Sequence, residues 1–278
     1  MSTPATGTAM SPMAISTGRA FSGSASEESD MRFVTIAEQP DLADRLGPLI
    51  DSIWPEYMLQ DPVGNAHWPR LFSDFPENQF VLLDGDELIG TANSIPIAWD
   101  GCDSELPEDG WDWALATAMT DADAGNPPAA LVGLQIAIAP SHQGRGLSHQ
   151  FVAHLRDIAA GQGFSRLIIP VRPTLKHRYP LTPIERYMQW RREELPFDPW
   201  LRVHVRAGAR IVKPCPRAMT IRATVGEWES WTGMAFPDTG QYIVPLALAP
   251  LAVYRETDVA AYVDPNIWVE HRCETRSR

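Results

Sequence analysis

Gln143, Gly144, Arg145, Gly146, Leu147 and Ser148 stand between an apolar run that ends at Pro140 and a segment whose apolar residues recur at Phe151, Leu155 and Ile158. The run contains Leu134, Ile136 and Ile138 and reads as a strand; the later spacing is that of one helix face. Gly161 and Gly163 are stop signals for that helix. A strand, a glycine-rich loop and a helix in this order leave unpaired N–H groups at a helix N-terminus, at the positive end of its dipole. That arrangement cradles phosphate. A side chain at Gly146 would keep a pyrophosphate from the backbone.

Other phosphate loops are excluded by their letters. The chain has no G-x-x-x-x-G-K-[ST] and no G-x-G-x-x-G. A dinucleotide fold also needs an acid about twenty residues on, at the end of a second strand. The stretch from Arg166 reads RLIIPV and carries none.

Gln143-x-x-Gly146-x-Ser148 resembles the Q/R-x-x-G-x-G/A loop with which GNAT acyltransferases grip the pyrophosphate of acetyl-CoA, with Ser148 where Gly or Ala is usual. Ile136-Ala137-Ile138-Ala139-Pro140 looks like their fourth strand, whose backbone pairs with the pantetheine arm. The resemblance implies acyl-CoA as co-substrate, held by Ile136, Ala137, Ile138, Gln143, Gly144, Arg145, Gly146, Leu147 and Ser148, and no metal. It implies an α/β (α+β) fold with a mixed, mostly antiparallel sheet flanked by helices and splayed between strands 4 and 5. Trp200 to Ile211 resembles the GNAT helix that ends in L-Y-x-x-x-G-F. With Gly208 in the glycine's place, His204 falls where many relatives carry the tyrosine thought to protonate the departing thiolate, and is the catalytic candidate.

The elements that must position these residues can be followed in order. Arg32 to Ile36 alternates as a first strand. Asp41 can cap a helix carrying Leu42, Leu46, Leu49, Ile50 and Ile53 that Pro55 closes, and His67 to Phe72 reads as a second helix. Gln79–Leu83 and Glu87–Ile97 flank Asp84-Gly85-Asp86 as a hairpin. This is the opening order of GNAT folds. Two stretches exceed a minimal member. One is Asp100–Pro128, with a short helix expected over Trp111–Met119; it is either a surface excursion or a wall of the acceptor site. The other is Arg172–Pro199, rich in aromatic and charged residues, either a packed excursion or a lid over the acceptor. Strands are expected at Arg166–Val171, Ala218–Ala223 and from Gln241 to Val244, extending to Tyr254. Thr224 and Glu227 form a capping box for a short helix, Glu227–Trp231. Tyr262–Trp268 reads as a short strand or coil.

Composition sets outer bounds. The 278 residues hold 44% hydrophobic and 21% charged residues, ordinary for a globular chain. A net charge of −12 argues against nucleic acid, which needs clustered cations. Residues 1–30 are poor in large apolar side chains and are expected to be disordered, with residues 31–278 forming one acyltransferase domain. Cys102, Cys215 and Cys273 are too far apart for a disulfide framework or zinc site, and His149 and His154 fall on different sides of a helix. The expectation is a cytoplasmic protein without a membrane span, with a homodimer left open. The activity expected is transfer of an acetyl or other short acyl group from acyl-CoA to the amine of a small molecule. No acid stands between Leu131 and Ile138, so proton removal falls to water or to a carboxylate from an extra stretch, Asp112 or Glu185. A CoA-binding module without activity, O-acylation and thioester decarboxylation stay open as alternatives.

Overall fold

The structure is a computed structural model that describes residues 30–274; the expected disorder of the first thirty residues therefore falls, but for Asp30, outside the described residues. From the N-terminus the elements are β1 (Met31–Thr35), α1 (Gly47–Asp51), α2 (Pro62–Asp74), β2 (Gln79–Asp84), β3 (Glu87–Ile97), α3 (Gly110–Ala124) and β4 (Ala130–Ile138). There follow α4 (Leu147–Gly161), β5 (Arg166–Val171), α5 (Ile184–Tyr187), the short pair β6 (Arg191–Arg192) and β7 (Leu195–Pro196), and α6 (Pro199–Arg206). The chain closes with β8 (Arg210–Ala223), α7 (Val225–Thr232), β9 (Gly240–Tyr242), β10 (Leu251–Tyr254) and β11 (Val259–Arg272).

The main sheet runs β1-β2-β3-β4-β5-β11-β10-β9, with β8 on the other edge of β11. Every pairing is antiparallel except β4 with β5. Successive side chains of a strand point to opposite faces, and the core divides accordingly. Leu167, Ile169, Ile267 and Val269 join Phe151 and Leu155 of α4 on one face. Ile168 and Trp268 join Leu71 of α2 and Leu115 of α3 on the other.

The β4–β5 pairing is brief. Leu131 pairs with Leu167 and Val132 with Ile168, and there it stops. Three features accompany the parting. A bulge between Asn93 and Ser94 skips Leu134 in the β3–β4 register. A Cβ on Gly133 would stand 3.0 Å from Ile169 Cγ1, so the glycine lets Ile169 close in at the fork. Pro170 has no N–H to give to either neighbouring strand.

Several elements differ from the sequence reading. The helix expected from Asp41 to Pro55 is broken into a 3-10 turn (Pro40–Arg45) and α1, and a further 3-10 turn (Glu56–Gln60) follows Pro55. Gly47-Pro48 interrupts it, because Pro48 has no N–H to continue the ladder. α2 and α3 are longer than expected. β8 begins at Arg210 rather than Ala218, and β11 is a 14-residue strand, where a short strand or coil is expected. Pro214 and Pro216 disguise the first half of β8; they are tolerated because β8 is paired on one side only. Pro265 disguises the middle of β11, where the register shifts between Asp264 and Asn266.

The caps follow the reading closely. Thr224 and Glu227 form the reciprocal capping box on α7. Gly208, at φ +85°, ends α6, with its N–H bonded to the Val205 carbonyl and that of Ala209 to the His204 carbonyl. A left-handed residue closed by this bond pair is a Schellman motif, which glycine accepts without strain.

Arg172–Pro199 is held down by Asp198, 1% exposed. Its Oδ1 accepts from the Trp200 and Leu201 amides at the start of α6. Its Oδ2 accepts from the Leu175 amide at 2.8 Å and the Tyr187 hydroxyl at 2.9 Å. Asp198→Ala removes a helix cap and strands two buried donors, a loss of about 3 kcal/mol from cap and unsatisfied-donor costs together. Urea denaturation is expected to show that loss; an unchanged midpoint would mean that Asp198 does not anchor the stretch.

Candidate active site

Where β4 and β5 part, the gap opens into a cavity of about 890 Å³. One end is the loop before α4, lined by His142, Gln143, Gly144, Gly146, Leu147, Ser148 and His149. The middle is the facing edges of the fork, Gly133 to Ile138 of β4 and Ile169 to Val171 of β5. The far end carries Trp54, Asp61, Gly64, Trp68, Trp111 and Arg172.

The loop end is built for an anionic group. Gly144 and Gly146 have φ of +78° and +79°, and a Cβ on either would meet no protein atom within 4 Å. Gly146 is the N-cap of α4 and no side chain caps the helix. The first-turn N–H groups therefore lack a side-chain acceptor, at the positive end of a 15-residue helix. Gln143 turns its amide back: Nε2 donates to the Ile138 carbonyl at 3.0 Å, tying the loop to the end of β4. These features fit a pyrophosphate.

At the far end the indoles are fixed by hydrogen bonds to β4. Trp111 Nε1 donates to the carbonyl of Leu134, the bulged residue, at 2.8 Å. Trp54 Nε1 donates to Gln135 Oε1 at 3.0 Å. Gln135 in turn donates to Asn93, and Asn93 to Gln79, so a buried amide chain supports the cavity wall from beneath. Trp68 stacks on Trp111 with ring centroids 6.0 Å apart. Arg172 lies over the Trp54 ring, its charge met by Asp264 at 3.0 Å. Asp264 also accepts from Tyr262 and Asn266.

Two carboxyls stand together here. Asp61, 2% exposed, caps α2 by accepting from the Gly64 amide at 2.7 Å. Asp112, from the first turn of α3, accepts from the Thr220 amide at 3.1 Å. The two carboxyls are close enough for the charge of Asp61 to act on Asp112. Burial, and then the Asp61 charge, push the Asp112 carboxyl up to about 8. Burial likewise raises Asp61, against hydrogen bonds from the backbone that favour its charged form. Like charges held out of water share a proton.

The residues named from sequence separate into two groups. Ile136, Ala137, Ile138, Gln143, Gly144, Gly146, Leu147 and Ser148 all line the cavity; Arg145 lies in the same loop, exposed and outside the lining. His204 stands elsewhere. It is fully buried, packed against Trp200, with Nδ1 2.9 Å from His271 Nε2. α6 presents Trp200 and Val203 to the cavity instead. Burial and the neighbouring His271 drive His204 well below the usual histidine range, so it is neutral at neutral pH. His204 itself does not line the cavity, where the resemblance to GNAT relatives places it facing the thiolate. Glu185 is exposed on α5 and away from the lining. Of Asp100–Pro128, Trp111 reaches the cavity while Trp113 packs on Trp268. Of Arg172–Pro199, only Arg172, Thr174, His177 and Pro199 reach it. Asp61 was missed. Asp61-Pro62 is a helix-start signal, an N-cap followed by proline at the first helical position, but its meeting with Asp112 is a contact between distant segments.

Comparison with known proteins agrees with this geometry. The Acetyltransferase (GNAT) family model matches residues 41–181. An arginine N-acetyltransferase, avaD of Aspergillus versicolor, is 32% identical over 272 residues, covering 85% of this chain and 92% of that protein. The chain belongs to the GNAT acetyltransferase family. Its fold matches the loading GNATL domain of CurA from Lyngbya majuscula with a TM-score of 0.57 at 18% identity, covering 87% of this chain and 96% of that one. The GphF GNAT-like decarboxylase in complex with isobutyryl-CoA matches with a TM-score of 0.55 at 18% identity, covering 87% and 98%. At these identities the two structures speak for the fold alone.

Gly146→Ala tests the loop. Its Cβ clashes with no protein atom and costs about 1–2 kcal/mol of left-handed strain, while taking the space a pyrophosphate needs. Calorimetry is expected to show CoA affinity reduced at least tenfold in a variant that remains folded. Unchanged affinity would place the diphosphate elsewhere.

Proposed function

We propose that the protein transfers an acetyl or other short acyl group from acyl-CoA to a nitrogen of a small cationic amine acceptor. The observation that carries the reading is the continuity of the cavity, from the glycine loop through the β4–β5 fork to the tryptophan-lined end. A diphosphate on the loop and a pantetheine arm in the fork would bring the thioester to the bulged part of β4. An acceptor entering from the far end meets it there.

The chemistry asks little of side chains. The acceptor nitrogen attacks the thioester carbonyl carbon, the C–N bond forms, the C–S bond breaks, and the thiolate leaves and is protonated to the free thiol. The nitrogen gives up its proton to water in the open cavity. Backbone N–H groups of β4 beyond the fork, no longer paired with β5, are suited to receive the charge that develops on the carbonyl oxygen. Holding both reactants in one cleft supplies much of the rate by positioning alone. Trp54, Trp68 and Trp111 present aromatic faces, which attract a cation. The relative named as an arginine N-acetyltransferase supports an acceptor of that charge.

A free-thiol release assay with acetyl-CoA tests the reading against a panel of amines that includes L-arginine, with malonyl-CoA run in parallel. Thiol release dependent on a cationic amine, with the acylated amine seen by mass spectrometry, is the expected result. Loss of carbon dioxide from malonyl-CoA without any amine-dependent thiol release would replace transfer by decarboxylation. CoA binding with neither reaction would leave a binding module.

A further inference from the structure

Asp61 and Asp112 raise a question of hydrogen-bond accounting. Asp61 Oδ1 is used by the α2 cap and Asp112 Oδ2 by the Thr220 amide. The other two oxygens, Asp61 Oδ2 and Asp112 Oδ1, are buried with no donor among the described residues. Buried acceptors without donors are costly, and two ionised carboxylates in contact are worse. One proton held between the carboxyls relieves both costs and leaves the pair with a single negative charge. No salt bridge reaches either carboxyl among the described residues, and Arg172, which lines the same cavity, is held by Asp264. That negative charge therefore lacks a partner among the described residues.

The pair sits on the cavity wall through Asp61. Gly64 lines the cavity beside it: a Cβ there would stand 3.4 Å from Asp61 Oδ1 and 3.6 Å from Trp111 Cη2, in contact with both. The Trp111 indole thus reaches from the Leu134 carbonyl on β4, which its Nε1 grips, to the side of Asp61. With this indole set between the bulge, where the thioester is placed, and Asp61, the carboxyl suits a second positive group on the same acceptor rather than direct proton removal from the attacking nitrogen.

We infer that Asp61, backed by Asp112, is a recognition subsite for a distal guanidinium or ammonium group of the acceptor, seated beside Trp68 and Trp111. This rests on the transfer reading above and adds the substrate class: a molecule with one nitrogen to acylate and a second cationic group a short alkyl chain away. Guanidinium fits best, because its planar fork of N–H donors can serve two carboxylate oxygens at once and its plane stacks on an indole. Asp61 is the binding residue. Asp112 is a positioning residue that holds the shared proton and the orientation of Asp61.

The test compares L-arginine with L-citrulline, which has nearly the same shape and no side-chain charge. KM and kcat are measured with saturating acetyl-CoA for the full-length protein and for Asp61→Asn, which keeps an effective helix N-cap. The parent is expected to favour arginine. In Asp61→Asn the arginine KM is expected to rise about ten- to hundredfold, as for loss of a charged hydrogen bond, with kcat and the citrulline KM unchanged. Asp112→Asn should raise the arginine KM less. Gly64→Ala, whose methyl group would stand on the cavity wall against both Asp61 and Trp111, provides a second variant if Asp61→Asn fails to fold, and should also weaken arginine selectively. A parent that treats arginine and citrulline alike overturns the proposal, as does a variant that loses both equally. If no amine is acylated although CoA binds, the transfer reading has failed on its own, and calorimetry decides the subsite. L-arginine binding to the CoA-loaded parent and not to Asp61→Asn supports it; no binding to the parent overturns it.

Discussion

Two pairs of residues hold β4 to β5, Leu131 with Leu167 and Val132 with Ile168, and the function depends on there being no third. A sheet whose neighbouring strands part in mid-course exposes backbone donors and acceptors, which are costly inside a protein unless something serves them. Here β5 keeps its partner on the other side, β11, for all of its length, Arg166 through Val171. β4 keeps β3, with a bulge at Leu134 whose carbonyl is served by Trp111. The fork is therefore held rigid by outer partners while its inner edges stay open. An extended ligand with its own amides, as a pantetheine arm has, can act there as a missing strand segment.

The two ends of the fork are unlike in charge. At the loop, an uncapped helix N-terminus and two left-handed glycines make a site for anions from backbone alone. At the far end, the buried carboxyl pair and three tryptophans favour cations, while Arg172 is neutralised by Asp264 and so does not oppose them. Under the proposed function, opposite preferences at the two ends would orient each reactant before any chemistry occurs. The buried histidine pair His204–His271 lies outside the lining of this cleft. Burial makes both rings neutral, His271 falling to about 4, and leaves the cavity wall to Trp200 and Val203.

Much of this was legible in the letters. The glycine loop, its strand and its helix follow from local periodicity and turn chemistry, so those elements and eight of the nine loop and strand residues named fall on the cavity. The hairpin at Asp84-Gly85 and the capping box at Thr224 are equally local. What was hidden depends on partners distant in sequence. Pro214, Pro216 and Pro265 make β8 and β11 look like coil, and only their pairing with each other and with β5 makes them strands. The register of α6 was read correctly at Gly208. Yet which of its residues faces the cleft is set by how the helix packs against α4, β7 and β8, with His204 turned to His271. Asp61 and Asp112 are 51 positions apart, and nothing in either segment announces that α2 and α3 bring them together.

A crystal structure with acetyl-CoA bound tests most directly whether acyl-CoA and acceptor meet at the fork. The pyrophosphate is expected on the amides of Gly144 to Ser148, the pantetheine arm between Gly133–Ile138 and Ile169–Val171, and the acetyl group at the bulge beside Leu134, facing Trp54 and Trp111. A CoA molecule bound outside the fork, or one whose acetyl group points away from the tryptophan-lined end, would contradict it.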